Sequence, residues 1–594
     1  MPDLKAQTVT LSPLTTIVTD TTLYVDNFGA IPNDGNDDKV AIQSAFNAAR
    51  AITNKKVKLQ FTANGTYILN DATTSGWIIK LQNSQNLLIE GNGAKMVITN
   101  SVTAGFLSIR NSTNIIVQNF YIDYNPLNFT QGTVTRINSS TSFRVQIDAG
   151  FTQLDSRFSR NANSNNAQLK VNDSNLNLVY DTKNQLSVSS YSSAGSSLWD
   201  VTLNNSYPVA VGQKYIQWIR YSNSDTAGLQ TAEVFRSQLN TNISYINNTI
   251  YSGLGFSYSG FGCKNMMYKS NKTIPFPGRF FSTSADGIHL KQCFDVLIDS
   301  NEFNSQGDDC IALLPPSANG TNQAYPQFDN LGRNFEIKNN IFKNIRRYGN
   351  IILFCYGVIE NNTYDAVNCI AANLNGDTLL LQNNTFKNGF RNQIQNVADT
   401  LFGSYIGQSN PKNIKKITIQ FNTFQDWHHA NPIIIENGTN FTINDNLFCG
   451  PELSPIALKP ACIWVENVSG LSIKRNQFDT NGWSNAVDAI YSNLNTSTNI
   501  TQNTLMTCST ATKNVNLISV DIIVYPNPSR GFVTVESPFD KSTLSIYNEL
   551  GQNIMCMNTC DKKTIVNLNK FQNGIYFIEV KDDKKTFRTR IIKN

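Results

Sequence analysis

Between Asn248 and Leu505, short aliphatic runs alternate with a repeated polar mark: two or three aliphatic residues, then Asn, any residue, and an aromatic or aliphatic residue. The unit reads Ile298 to Asn301-Glu302-Phe303 and Ile337 to Asn340-Ile341-Phe342. It returns at Asn362 with Tyr364, Asn384 with Phe386, Asn422 with Phe424, Asn446 with Phe448, Asn476 with Phe478 and Asn503 with Leu505. The asparagines lie 22 or 23 residues apart in the tightest stretches, 248 to 271 and 340 to 362 to 384, and further apart where a loop intervenes. A recurring period of this length marks a solenoid. The apolar runs have strand length and lack the longer periodicity of a crossover helix, which predicts an all-β chain built on a right-handed parallel β-helix. Asn suits the bends because it accepts left-handed backbone and bonds to its counterpart in the next coil.

The pattern changes along the chain and predicts four parts. Residues 21–130 form an N-terminal cap and the first coils, in which Asp38 to Phe46 has the spacing of an amphipathic helix with Asp37 or Asp38 as N-cap. Residues 131–238 lose the period and alternate instead, as in Phe143-Arg144-Val145-Gln146-Ile147 and Tyr215-Ile216-Gln217-Trp218-Ile219, which predicts an inserted antiparallel β domain. Residues 239–510 carry the main solenoid. From 520 to 594 a run of short strands after Tyr525-Pro526-Asn527-Pro528 predicts a compact β-sandwich.

Composition narrows the function classes. Charged residues make up 15% of the 594 and the net charge is +5, so no basic field for nucleic acid is implied. No apolar run reaches about 18 residues, so no membrane span is predicted. Ten cysteines are too dilute for a disulfide scaffold, although Cys449/Cys462 and Cys556/Cys560 are near enough in sequence to pair. Met1 to Gln7 has no basic region followed by an apolar stretch, yet Leu4-Lys5-Ala6 before Gln7 has the form of a cleavage-site remnant, which predicts an upstream extension. Oligomeric state is not set by the sequence.

Candidate chemistry sits in Asp286-Gly287-Ile288-His289 and Gly307-Asp308-Asp309-Cys310. Asp308 and Asp309 follow Asp286 by about one turn of the repeat, so Asp286 is expected to stack beside Asp308, roughly 4.8 Å away, with Asp309 next to it. Crowded carboxylates raise the pKa of one member and suit acid/base catalysis or a cation. Strand alternation puts His289 and Lys291 on one side, as candidate contacts for sugar hydroxyls. Arg347, beside Arg346, is a candidate for an anionic group. Trp427 with His428 offers rings for stacking on sugar faces, while adjacent histidines point apart and make a poor metal pair. No metal ligand set is assigned.

Several of these motifs resemble known families. Val25 to Gly35 followed by the predicted helix is similar to the N-terminal cap of pectin-lyase-like β-helix enzymes. Tyr525-Pro526-Asn527-Pro528, Tyr547-Asn548 with Gly551, and Gly574-Ile575-Tyr576-Phe577 resemble the C-terminal sorting domain of the bacterial type IX secretion system. That resemblance implies the secretion machinery as a partner and export across the outer membrane to the cell surface or beyond. The Asp286 and Asp308-Asp309 elements resemble those of polygalacturonase-type glycoside hydrolases, although a Gly-His-Gly and an Arg-Ile-Lys element are not found downstream. Their spacing together with the inserted domain is similar to the α-1,3-galactosidases of glycoside hydrolase family 110, and also to β-helix α-1,3-glucanases. The resemblance implies a carbohydrate substrate, no cofactor, and Asp286, Asp308 and Asp309 as an inverting acid/base set on an α-linked galactoside or related polysaccharide. Two alternatives stand beside it. One is a polysaccharide lyase, in which the carboxylates hold Ca²⁺ against a uronate; the other is a noncatalytic glycan-binding adhesin.

Overall fold

The computed structural model describes residues 11–593 except 71–75, 100–103, 155–157, 159–166, 171–184, 219–232, 315–332, 346, 354, 368–371, 376–377, 390–393, 397–415, 427–430, 451–460, 481–482, 509–522, 526–528, 530, 538–541, 549–551, 560 and 582–585. The chain divides into two compact units, Met1–Cys508 and Ser509–Asn594.

The first unit is a right-handed parallel β-helix. One coil shows how the sequence pattern makes it. Ile288–Lys291 and Phe294–Asp299 are two short strands separated by a bend, and Glu302–Asn304 follows after the ladder asparagine Asn301. Each strand pairs in parallel with its equivalents in the coils before and after, as Tyr258↔Ile288↔Ile311 and Met266↔Val296↔Phe335 do. Alternate residues turn inward, so Ile288, Leu290, Val296 and Ile298 join one continuous apolar core.

The asparagines and the aromatic residues two positions later have separate tasks. From Asn248 to Asn503 each ladder asparagine is bonded to the next: Asn340 donates its backbone N–H and Nδ2 to Asn362 Oδ1, both at 2.9 Å, and Nδ2 also reaches the Ile298 carbonyl at 3.0 Å. The left-handed backbone of the bend is taken by the preceding residue, such as Asn339 (φ 58), Asn361 (φ 56) and Asn383 (φ 55), not by the ladder asparagine itself. Inside, Phe342, Tyr364, Phe386, Phe424 and Phe448 stack face to face with centroids 4.6–4.9 Å apart.

The helix Lys39–Ala51 covers the first coils with Ile42, Ala45, Phe46 and Ala49. Asp38 occupies its N-cap but makes no cap bond; its carboxylate accepts instead from Ile31 N–H at 2.8 Å and Ile68 N–H at 3.0 Å, tying the cap segment to the first coil. Between Phe129 and Trp218 the chain forms a separate antiparallel sheet of seven strands over its own apolar cluster. The coil register then resumes across the insertion, with Phe235 pairing in line with Leu107. The second unit has a three-stranded and a four-stranded sheet enclosing one core, with Val533, Val535 and Val566 from the first and Leu544, Ile546 and Ile578 from the second. This is the β-sandwich.

The expected cysteine pairs are not those found. Cys449 is bonded to Cys508, 59 residues on, whereas Cys462 is a buried free thiol inside the solenoid. The chain coils back, so sequence proximity does not select the partner. Cys556 is likewise a free thiol on the surface, and Cys560 lies outside the described residues.

Candidate active site

Asp286, Asp308 and Asp309 each stand just before the first strand of a coil, where the loop from the preceding sheet turns back to the core. The glycines beside them allow the coils to approach. A Cβ on Gly287 would lie 2.6 Å from the Cys310 carbonyl oxygen, and one on Gly307 2.5 Å from that of Ser284. One oxygen from each of the three carboxylates falls within 4.8 Å of the others, and all three residues are buried.

The stacking differs from expectation by one residue. Ile288 pairs with Ile311, and Gly287 N–H donates to the Asp309 carbonyl at 2.9 Å, so Asp309, not Asp308, stands in line with Asp286. The step from Ile288 to Ile311 is the longer of the two tight coil spacings, and this leaves Asp308 one position ahead of the row.

The next coil supplies a cation. Ile311 pairs with Asn350, which aligns Asp308 with Arg347 and Asp309 with Tyr348. Arg347 Nη1 donates to Asp308 Oδ1 at 2.5 Å, and its Nε lies 3.7 Å from Asp309 Oδ1, a group that also accepts from Tyr348 N–H at 3.4 Å. Burial, with Asp308 and Asp286 alongside, pushes the Asp309 carboxyl well above the usual carboxylate range despite Arg347. Two like charges so close cannot easily coexist, which favours the protonated form of Asp309.

On the other side, His289 Nδ1 lies 2.6 Å from Asp286 Oδ2 and its ring stacks on Phe256 at 4.2 Å. Burial, together with Lys291, pulls the His289 pKa down to about 3, which favours a neutral ring, and a proton on Nδ1 would satisfy the Asp286 carboxylate. Lys291 shares the outward row with His289, while Ile288 and Leu290 fill the core between them. Burial lowers the Lys291 pKa as well, against the attraction of Asp286 and Glu233.

Glu233, Phe256, Asp286 and Asp309 occupy one row, because Phe235 pairs with Tyr258, Tyr258 with Ile288 and Ile288 with Ile311. Glu233 is buried, and burial raises its pKa. Next to it the Arg236 guanidinium lies over the rings of Trp77, at 4.5 Å, and Phe261, at 5.0 Å. Neither Glu233 nor Phe256 was picked out by motif; counting coil lengths back from Asp286 would have found both. Trp427 and His428 lie outside the described residues, as do Arg346 and the loops after Leu314 and Asn396. The structure thus brings together Asp286, Asp308, Asp309, His289, Lys291 and Arg347.

Residues 523–594 match the family described as the Secretion system C-terminal sorting domain. The chain thus carries a type IX secretion sorting domain at its C-terminal part. This sorting domain directs it to the cell surface or the extracellular space, and among the described residues no helix is long and apolar enough to cross a membrane. No curated protein matches the chain in sequence. Among solved structures, it is similar to a hyperthermoactive exopolygalacturonase from Thermotoga maritima, with 10% identity over 81% of this chain and 94% of that one and a TM-score of 0.35. It is also similar to PfbA, a surface adhesin of Streptococcus pneumoniae, with 12% identity over 91% and 100% and a TM-score of 0.34. A tailspike protein mutant of E. coli bacteriophage HK620 in complex with a pentasaccharide gives 9% identity over 96% and 94% and a TM-score of 0.39.

Proposed function

We propose that the chain is a secreted glycoside hydrolase acting on an α-linked galactoside or related polysaccharide. The observation that carries this reading is the convergence of Asp286, Asp308 and Asp309 within 4.8 Å, where burial and the neighbouring carboxylates raise the pKa of Asp309. Glycoside hydrolysis needs a protonated acid at the leaving oxygen and an ionised carboxylate near the anomeric carbon. Asp309 is the general acid. Its proton passes to the glycosidic oxygen as the bond to the anomeric carbon breaks. Water supplies the new hydroxyl and gives its proton to the carboxylate of Asp308 or Asp286. Arg347 keeps Asp308 in place, His289 orients Asp286, and Lys291 with His289 Nε2 faces sugar hydroxyls.

Inversion is the stereochemical outcome proposed. A water held between acid and base on opposite faces ordinarily needs carboxyl groups roughly 6.5–9.5 Å apart. Here the nearest oxygens are closer, so the attacking water would sit beside the trio rather than between its members. Proton NMR of the first anomer released tests this.

One observation also favours a lyase: three buried carboxylates this close are a reasonable oxygen set for Ca²⁺. A reducing-sugar and ultraviolet-absorbance screen on galactosides, galactans, α-glucans and pectins separates the two. Hydrolysis without an absorbing product, unaffected by chelator and abolished in Asp309→Asn, supports the hydrolase. An unsaturated product lost with chelator replaces it with the lyase, and glycan binding with no turnover on any substrate replaces both with an adhesin.

A further inference from the structure

A second feature lies apart from the carboxylates. A cavity of about 270 Å³ opens where the first coils meet the inserted sheet, lined by Lys95, Asp123 and Asn125 of the solenoid, Thr152 of the insertion, and Arg279. Arg279 belongs to the segment that runs on to Asp286, and the inserted sheet holds that segment through Gln131, which donates to the Gly278 carbonyl at 2.9 Å and accepts from Phe280 N–H at 3.0 Å.

Asp123 and Arg279 form a fixed wall. Asp123 is buried and receives Arg279 Nη1 at 2.7 Å, Nη2 at 3.0 Å and the Ser252 hydroxyl at 2.6 Å. Lys95 is placed differently. Its ammonium lies 5.8 Å from the Phe276 centroid, and the Arg279 guanidinium lies 5.1 Å from the same ring. Phe276 therefore joins the cavity to a strip of rings: it meets Tyr251 edge-on at 5.1 Å, and Tyr251 stacks on Tyr121 at 6.0 Å. Tyr121 and Phe276 are 40% and 38% exposed, and Lys95 pairs in register with Tyr121. The cavity's polar, net positive lining suits an anionic group, and the exposed rings of Tyr121 and Phe276, which adjoin it through Lys95, suit a sugar face.

Register relates this cavity to the acid cluster. Ile122 pairs with Ile250, which puts Asn125 in line with Gly253, and Gly253 bridges to Thr283. The cavity is thus two coils, roughly 10 Å, before the stretch that leads into Asp286. A glycan lying along the solenoid axis would span both.

We propose that the cavity is a second sugar-binding site, taking one pyranose unit with an anionic substituent, with Lys95 facing that substituent and Tyr121 and Phe276 flanking the ring. The proposal rests on the reading that the ligand is a glycan, but it does not require turnover. Affinity electrophoresis of the full chain carrying Asp309→Asn, in gels containing polygalacturonate, a sulfated galactan or a neutral galactan, tests it. Mobility is read against a gel without polymer. Retardation is expected in an acidic gel, polygalacturonate for a carboxylate and the sulfated galactan for a sulfate. Adding Lys95→Glu, or Phe276→Ala as a charge-neutral second variant, should weaken it at least tenfold with an unchanged melting temperature. Retardation in acidic gels that neither change affects, retardation only in neutral galactan, or none in any gel would overturn the proposal. If Lys95→Glu abolishes binding while the unsubstituted chain turns over no glycan, the second site stands and the hydrolase reading alone fails.

Discussion

Asp286 and Asp309 stand in one row of the solenoid, one coil apart, joined through the Gly287 N–H to the Asp309 carbonyl at 2.9 Å. Their side chains are therefore held against each other by the backbone ladder, and Asp286 adds to burial and to Asp308 in raising the pKa of Asp309. Asp309→Asn removes the proton donor but keeps the shape. Activity should fall by roughly 100-fold or more, while the melting temperature holds or rises by a few degrees, because a buried acid that resists ionisation is a cost to stability at neutral pH. The sign follows from linkage: a carboxyl raised in the folded state makes stability fall as pH climbs from its unfolded value toward its folded one. Thermal melts of both proteins across pH, beside the assay, check this.

Arg347 shapes the pH profile. It favours the charged form of Asp309, so its removal lets that pKa rise further. The active acid form is lost as pH rises through this value, and Arg347→Ala should therefore shift the alkaline limb of kcat/KM to higher pH while lowering its maximum by roughly 100-fold. Arg347→Lys should not restore the maximum, since an ammonium cannot reproduce the contacts to Asp308 and Asp309 together. A limb that stays in place would remove Arg347 from the acid's environment.

The asparagine ladder is a buried hydrogen-bond chain, and interrupting it leaves donors stranded. Asn340 Oδ1 accepts Asn301 N–H at 2.8 Å and Asn301 Nδ2 at 3.0 Å. Asn340→Ala should destabilise the first unit by about 2–3 kcal/mol, read by urea denaturation of the solenoid.

The Cys449–Cys508 bond closes a loop spanning the last coils, with a sequence separation of 59. Cys508→Ser should lower stability by about 2–4 kcal/mol. Denaturation of the unsubstituted chain with and without reductant should reproduce the difference; equal midpoints would mean that the last coils are held by their ladder alone.

Removal of 523–594 should leave the protein on the inner side of the outer membrane in a bacterium with the type IX system, seen by fractionation and immunoblotting. Secretion of the truncated chain would show that the sorting signal lies elsewhere.

The solenoid was legible because its period is written in side chains with distinct jobs: an asparagine that must bond to the next coil, and a ring two positions on that must stack inside. The acidic trio was legible for the same reason, since the interval between Asp286 and the Asp308-Asp309 pair matches one coil. Which of the two aligned with Asp286 was not, because the tight coils come in two lengths that differ by a single residue and only the strand pairing chooses. Longer coils hid more. Arg347 follows Asp308 by 39 residues yet is bonded to it, a partner that its reading as an anion-binding candidate did not give, and Phe256 sits a whole coil before Asp286, unmarked by a short motif. Cys508 meets Cys449 only because the chain returns over the same edge. Asp38 shows the limit of local signals: it has the right place for a helix cap, but two backbone donors from other segments claim its carboxylate.

Coils of very different length return the chain to register. The short steps from Asn350 to Ala372 and from Ile288 to Ile311, the longer one from Tyr258 to Ile288 and the longest from Ile311 to Asn350 all end in line, and so does the excursion through the inserted sheet between Ile122 and Ile250. Loop length is thereby uncoupled from the position of the reactive groups. Coils can therefore take up segments of different length while the row that holds Asp286 and Asp309 keeps its place.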